Sequence, residues 1–140
     1  MKEQQRKADK YLRQVRDMDN EINEIILKID YLRYKASGAT AIRYDKDHVQ
    51  TSPEDMLCEA VTEAVELENH LAQRHKQLLE MRERTEIIIN TWNDNNGVFI
   101  DSYYLSRRSM IDTAKYIGCT QRNVYLIKLK ALERFAQYIV

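Results

Sequence analysis

From Thr120 to Lys130 the chain reads Thr-Gln-Arg-Asn-Val-Tyr-Leu-Ile-Lys-Leu-Lys, and the side chains able to do chemistry crowd its start. Arg122 carries a planar fork of donors, and the amides of Gln121 and Asn123 donate and accept at once. Such groups grip a planar edge with two hydrogen bonds, guanine for Arg122 and adenine for Gln121. Tyr125 adds an aromatic ring with a hydroxyl tip. Lys128 and Lys130 follow, and Arg107, Arg108 and Lys115 precede. These cations suit phosphate oxygens, which give affinity without sequence information. With Thr120, the ten residues form a candidate surface for double-stranded DNA.

Other chemistries find no such grouping. The chain has no Gly-rich phosphate loop and no pairing of a nucleophile with a base. His70 and His75 are five apart, so they do not share a helix face as an i, i+4 metal pair would. Adding His48 and Cys58 gives no recognisable ligand set. Cys58 and Cys119 form no metal or redox spacing; they read as buried thiols in a reducing cytoplasm. The expectation is a cytoplasmic protein that is not an enzyme, with no cofactor and no metal. The polar start, Met1 to Arg6, lacks the apolar stretch of a signal peptide. No apolar run approaches the roughly 18 residues of a membrane span.

A surface of this kind needs a frame to aim it. Ala114 supplies the small side chain required where two helices touch most closely. Gly118, four residues later, sits where a tight turn demands a left-handed backbone. Ile117 and Cys119 plug the turn from inside, and Thr120 caps the second helix. Val124, Ile127, Ala131, Leu132 and Phe135 then face the core. Gln121, Arg122 and Tyr125 project from the opposite face. The pattern is that of a helix-turn-helix.

Charge is divided in the same sense. Lys plus Arg and Asp plus Glu number 22 each. Residues 98–140 hold seven basic side chains against three acidic ones, which leaves 15 against 19 for the first 97. A polyanion-binding end joined to a solvated helical body fits this split.

The body itself reads as two long helices. Tyr11, Val15, Met18, Ile22, Ile25, Ile29, Leu32 and Ala36 step by alternating fours and threes, a sustained heptad seam. Ser37-Gly38 stops it, and a loop follows to Thr51. Ser52-Pro53-Glu54-Asp55 restarts a helix with a cap, a proline suited to the first position and acids at the positive end of the dipole. Its seam runs through Leu57, Ala60, Ala64, Leu67, Leu71, Arg74, Leu78, Met81, Thr85, Ile88 and Trp92, with Arg74 and Thr85 as polar interruptions. Asn93 to Gly97 ends it. Asp17, Asp19, Glu21 and Glu24, with Arg13 and Lys28 nearby, read as an exposed salt-bridged face. Leu12, Ile26, Val61, Val65, Leu79, Ile87 and Ile89 widen the stripes beyond what one partner helix covers. Either the end domain covers the excess, or the chain forms a homodimer or small homo-oligomer, the option favoured by so thin a core.

Residues 98–140 resemble the promoter-reading helix-turn-helix of bacterial sigma factors, their region 4. Thr120 to Leu132 is similar to its recognition helix, including Ala131-Leu132 near the end, and Tyr103-Tyr104-Leu105 resembles the short helix packed across the motif. With its long amphipathic first half, the chain is similar to small phage and prophage proteins of Gram-positive bacteria. These include late-gene transcriptional regulators of the ArpU and RinA type and sigma-like relatives. The segment from Arg43 to Ser52 resembles part of those relatives too. The match has departures. Asp112-Thr113-Ala114 stands where Glu-Ile-Ala is common, so a polar Thr113 occupies an apolar position. Leu126 replaces a polar side chain, which opens that position to a thymine methyl or to another protein. Nothing before residue 98 resembles the region that melts promoters.

The reading is an all-α protein. A long antiparallel, coiled-coil-like hairpin over 1–97 serves oligomerisation or partner binding, and a small helix-turn-helix domain over 98–140 binds DNA. The resemblance implies a transcriptional regulator acting at a promoter, with host RNA polymerase as a partner and no role at a membrane. Two alternatives stand beside it. One is a DNA-packaging subunit of the small-terminase kind. The other is a helical interaction protein, such as an inhibitor of a host factor, that uses the motif as a scaffold.

Overall fold

The computed structural model describes residues 1–37 and 53–139, with Pro53 and Glu54 described in backbone only. The Gly38 stop, the loop to Thr51 with His48 and the segment from Arg43, and the Ser52 cap lie outside the described residues. Every regular element among those described is helical. In order they are α1 (Glu3–Arg16), α2 (Met18–Ala36), α3 (Pro53–Asn90), α4 (Asn95–Ile100), a π-helical turn (Asp101–Leu105), α5 (Met110–Ile117) and α6 (Gln121–Ala136). None is long and apolar enough to cross a membrane.

The chain divides into two units, and the division is not at residue 97. One comprises residues 1–18 and 77–140, the other residues 19–76. The first eighteen residues thus join the C-terminal unit, where α1 packs on α6 and on the π-helical turn. The expected single helix from Tyr11 to Ala36 is interrupted at Asp17, whose N–H closes α1 on the Arg13 carbonyl at 2.9 Å. The buried face of α1 is Ala8, Leu12 and Val15, with Gln5 and Asp9. Tyr11 is only half-buried, its ring 5.7 Å from that of Phe135. Beyond Met18 the expected seam holds: Ile25, Ile29 and Leu32 are buried.

Within the 19–76 unit, α2 meets the first part of α3. Glu21 pairs with Arg74 at 3.0 Å and Arg33 with Glu68 at 2.6 Å, so the pairs run in opposite order along the two helices. Arg74 interrupts the α3 seam because its guanidinium answers Glu21. Ala60 and Ala64 are buried, and Leu57, Leu67 and Leu71 are half-buried. Of the salt-bridged face expected around Arg13, Asp17, Asp19, Glu24 and Lys28 are exposed, Glu21 is the residue paired with Arg74, and Arg13 pairs with Asp9 at 2.9 Å. Ile26, Leu27, Tyr31, Tyr34, Val61 and Val65 are exposed. So is Cys58, contrary to the expected buried thiol, while Cys119 is half-buried.

The other unit has one core. Ala8, Leu12 and Val15 of α1 join Ile88 and Ile89 of α3, Trp92, Phe99 and Ile100 of α4, Tyr104 and Leu105, Ala114, and the Val124, Ala131, Leu132 and Phe135 face of α6. Two flanking residues expected to lie beside the seams, Leu12 and Ile89, are therefore covered here. Thr85, the second polar interruption, is fully buried and donates back to the Met81 carbonyl at 2.8 Å.

Asn93 to Gly97 does more than end α3, which stops at Asn90. Asp94 accepts from the Asn96 and Gly97 N–H groups and so caps α4, which contains Gly97. Asn and Asp are weak inside helices but favoured at caps, so a run of them can begin a helix as well as close one. A Cβ at Gly97 would lie 3.0 Å from the Trp92 carbonyl oxygen. The glycine is there to let the two backbones approach.

Candidate functional site

The turn between α5 and α6 is made by three local devices. Ser109 begins α5 by accepting from the Asp112 N–H at 3.1 Å. Gly118 ends it at φ +85°, ψ +35°, and the N–H groups of Gly118 and Cys119 both reach the Ala114 carbonyl at 2.9 Å. Thr120 then begins α6 by accepting from the Asn123 N–H at 3.2 Å. Ala114 is buried between the helices, and Ile117 and Cys119 pack against the core from the turn. Gly118 is left-handed and Thr120 caps α6, as their residue types and spacing predict.

Thr113, polar at an apolar position, is fully buried and finds a partner. Ser102 donates to its hydroxyl at 3.3 Å, and the Arg108 guanidinium donates to Ser102 at 3.2 Å. Upstream, the π-helical turn closes with the Ser106 N–H on the Asp101 carbonyl at 2.8 Å. Arg107 then takes a positive φ of 57°, and the Arg108 N–H bonds the Ser102 carbonyl.

Of the ten candidate residues, Gln121, Arg122, Asn123, Tyr125 and Lys130 of α6 are exposed, as are Lys115 of α5, Thr120 and Arg107. Thr120 spends its hydroxyl on the cap. Arg108 is half-buried, with its guanidinium 4.3 Å above the Tyr116 ring. It braces the start of the motif as well as carrying charge.

Lys128 is corrected outright. It is 7% exposed, so it is no solvent-facing phosphate contact. Val124, Lys128 and Leu132 follow one another at intervals of four and share the inward face of α6. Its ammonium stands 5.7 Å from the Tyr103 ring and 5.9 Å from that of Tyr125. Burial lowers its pKa, with Asp9 opposing the shift and Arg13 and Arg16 adding to it.

That lysine belongs to a polar cluster absent from the expectations. The Tyr104 hydroxyl, fully buried, donates to Asp9 Oδ1 at 2.6 Å, and Arg13 Nε lies 2.9 Å from Asp9 Oδ2. Burial raises the Tyr104 pKa, and the Asp9 carboxylate raises it further. Arg16 donates to the carbonyls of Tyr103 at 2.9 Å and Arg108 at 3.3 Å, with its guanidinium 4.3 Å from the Tyr103 ring. The first helix therefore pins the segment that leads into α5. One signal was available: Gln5, Asp9 and Arg16 lie among the apolar positions of a short amphipathic helix.

No protein-family model, curated protein or solved structure matches the chain. Between Thr120 and Leu132 there is no carboxylate, and the exposed face of α6 there presents amides, Arg122, Lys130, a phenol and Leu126. Such a convex, cationic ridge fits a groove lined with acceptors. Among the described residues no group of acids, histidines and cysteines is placed to hold a metal ion.

Proposed function

We propose that α5 and α6 form a helix-turn-helix that sets α6 into the major groove of double-stranded DNA, and that the chain is a sequence-specific transcriptional regulator. One observation carries this reading. The left-handed Gly118 and the Thr120 cap present the first turn of α6 outward with Gln121, Arg122 and Asn123 exposed, while Val124 is held in the core. Arg122 and Gln121 read base edges, and each bidentate contact is worth about 1–3 kcal/mol of discrimination. Lys115, Lys130, Arg107 and Arg108 supply phosphate contacts, Arg108 from its brace against Tyr116.

The resemblance to sigma region 4 and to phage late-gene regulators supports a promoter as the target and host RNA polymerase as a partner in a bacterial cytoplasm. The finer architecture proposed with it is a helical hairpin carrying the helix-turn-helix. Exposed Leu27, Tyr31, Val61 and Val65 on the 19–76 unit support self-association into a dimer or small oligomer. Selection of binding sites from random duplexes tests the function. A recovered consensus supports the reading, and a pool that stays random refutes it.

A further inference from the structure

We infer that Leu126 is a specificity-determining residue that reads the 5-methyl group of a thymine close to the base held by Arg122. The inference rests on the proposed DNA reading and adds to it a second base and its identity.

Leu126 is 50% exposed on α6, one turn beyond Arg122. Arg122, Leu126 and Lys130 follow at intervals of four and form an outward row, the counterpart of the inward row of Val124, Lys128 and Leu132. A helix that docks on a protein shows a broad apolar stripe at i, i+3, i+4 and i+7. Leu126 has no such stripe. Its neighbours three and four positions away are Arg122, Asn123, Leu129 and Lys130, of which only the half-buried Leu129 is apolar. In the outward row of α6 Leu126 stands as the aliphatic side chain between two cations, Arg122 and Lys130, with the exposed Tyr125 phenol beside it and no carboxylate between Thr120 and Leu132. This matches a polyanion that displays isolated apolar groups. In the major groove the thymine methyl is that group, because the other standard bases present only donors and acceptors or bare C–H edges there.

The spacing adds a position. Four residues advance about 6 Å along a helix, and bases on one strand are about 3.4 Å apart. The thymine should therefore lie within about two base pairs of the guanine read by Arg122.

The test uses the full chain and the tightest duplex from the selection, with each thymine replaced in turn by deoxyuridine, which lacks the methyl. Wild type should lose about fourfold in affinity at one thymine, the worth of one buried methyl-sized group. That thymine should sit within two base pairs of the guanine whose replacement by 7-deazaguanine or adenine weakens wild type but is silent in Arg122→Ala. Leu126→Ala should bind the thymine and deoxyuridine duplexes equally. Leu126 is half exposed, so its thermal midpoint checks that the variant is folded. A second variant, Leu126→Met, keeps an apolar tip and should retain the preference. A wild type indifferent to every deoxyuridine replacement, while still preferring the selected duplex, overturns the inference and leaves the DNA reading standing. A preference that survives Leu126→Ala also overturns it. Equal binding of selected and scrambled duplexes overturns both.

Discussion

Replacing Gly118 with alanine separates backbone strain from packing, because the two are cleanly divided at this residue. Gly118 sits at φ +85°, yet a Cβ built there meets no atom within 4 Å. The cost of Gly118→Ala is therefore that of a left-handed L-residue, roughly 1–2 kcal/mol, with no steric addition. Asparagine tolerates this region better, so Gly118→Asn should recover part of the loss. Gly97→Ala is the converse case. Its Cβ would meet the Trp92 carbonyl oxygen at 3.0 Å and Trp92 Cβ at 3.2 Å, and that crowding offsets the roughly 1 kcal/mol that alanine gains inside a helix. Trp92, the sole tryptophan and 5% exposed, reports on the core of this unit. Urea titration followed by its emission should show a lower midpoint for Gly118→Ala with an unchanged slope. A midpoint equal to or above that of wild type would mean that the turn is not left-handed at Gly118, and the presentation of α6 would lose its basis.

Other outcomes follow from the polar cluster. Tyr104→Phe leaves the buried Asp9 without its hydroxyl donor and should cost about 1–3 kcal/mol near neutral pH in the same titration. Because Tyr104 ionises far less readily folded than its ordinary value near 10, the folded chain holds more protons than the unfolded chain above that pH. Stability should fall as pH rises past 10, and Tyr104→Phe should flatten that fall. Lys128 acts in the opposite sense, since its lowered pKa makes stability rise with pH until the unfolded lysine titrates near 10.5. Lys128→Met, which keeps the buried stem, should leave the salt dependence of DNA binding unchanged, whereas Lys130→Ala should reduce its slope by about one. A reduced slope for Lys128→Met would place that ammonium on a phosphate.

Much of the C-terminal turn was legible because each of its devices is local. Gly118, Thr120 and Ala114 announce their conformations through residue type and spacing alone. The α3 seam was legible for the same reason, down to Arg74 and Thr85 as interruptions. The break at Asp17 was hidden, because Val15 and Met18 keep the alternating step while the buried face of α1 runs through Leu12 and not Tyr11. Lys128 was misplaced by reading charge before periodicity. The interval of four from Val124 to Leu132 already put it on the inward face, where a long apolar stem can be buried and its ammonium set against aromatic rings. The return of α1 onto α6, with Asp9, Arg13 and Arg16, joins residues some 90 to 120 positions apart, and no local pattern reports such a contact.

Whether the first turn of α6 reads base edges is decided by titrating Arg122→Ala against selected and scrambled duplexes at several salt concentrations. The substitution should lose about 1–3 kcal/mol on the selected duplex and change binding to the scrambled one little. An equal loss on both would make Arg122 a phosphate contact, and unchanged binding to both would contradict the claim that α6 enters the groove.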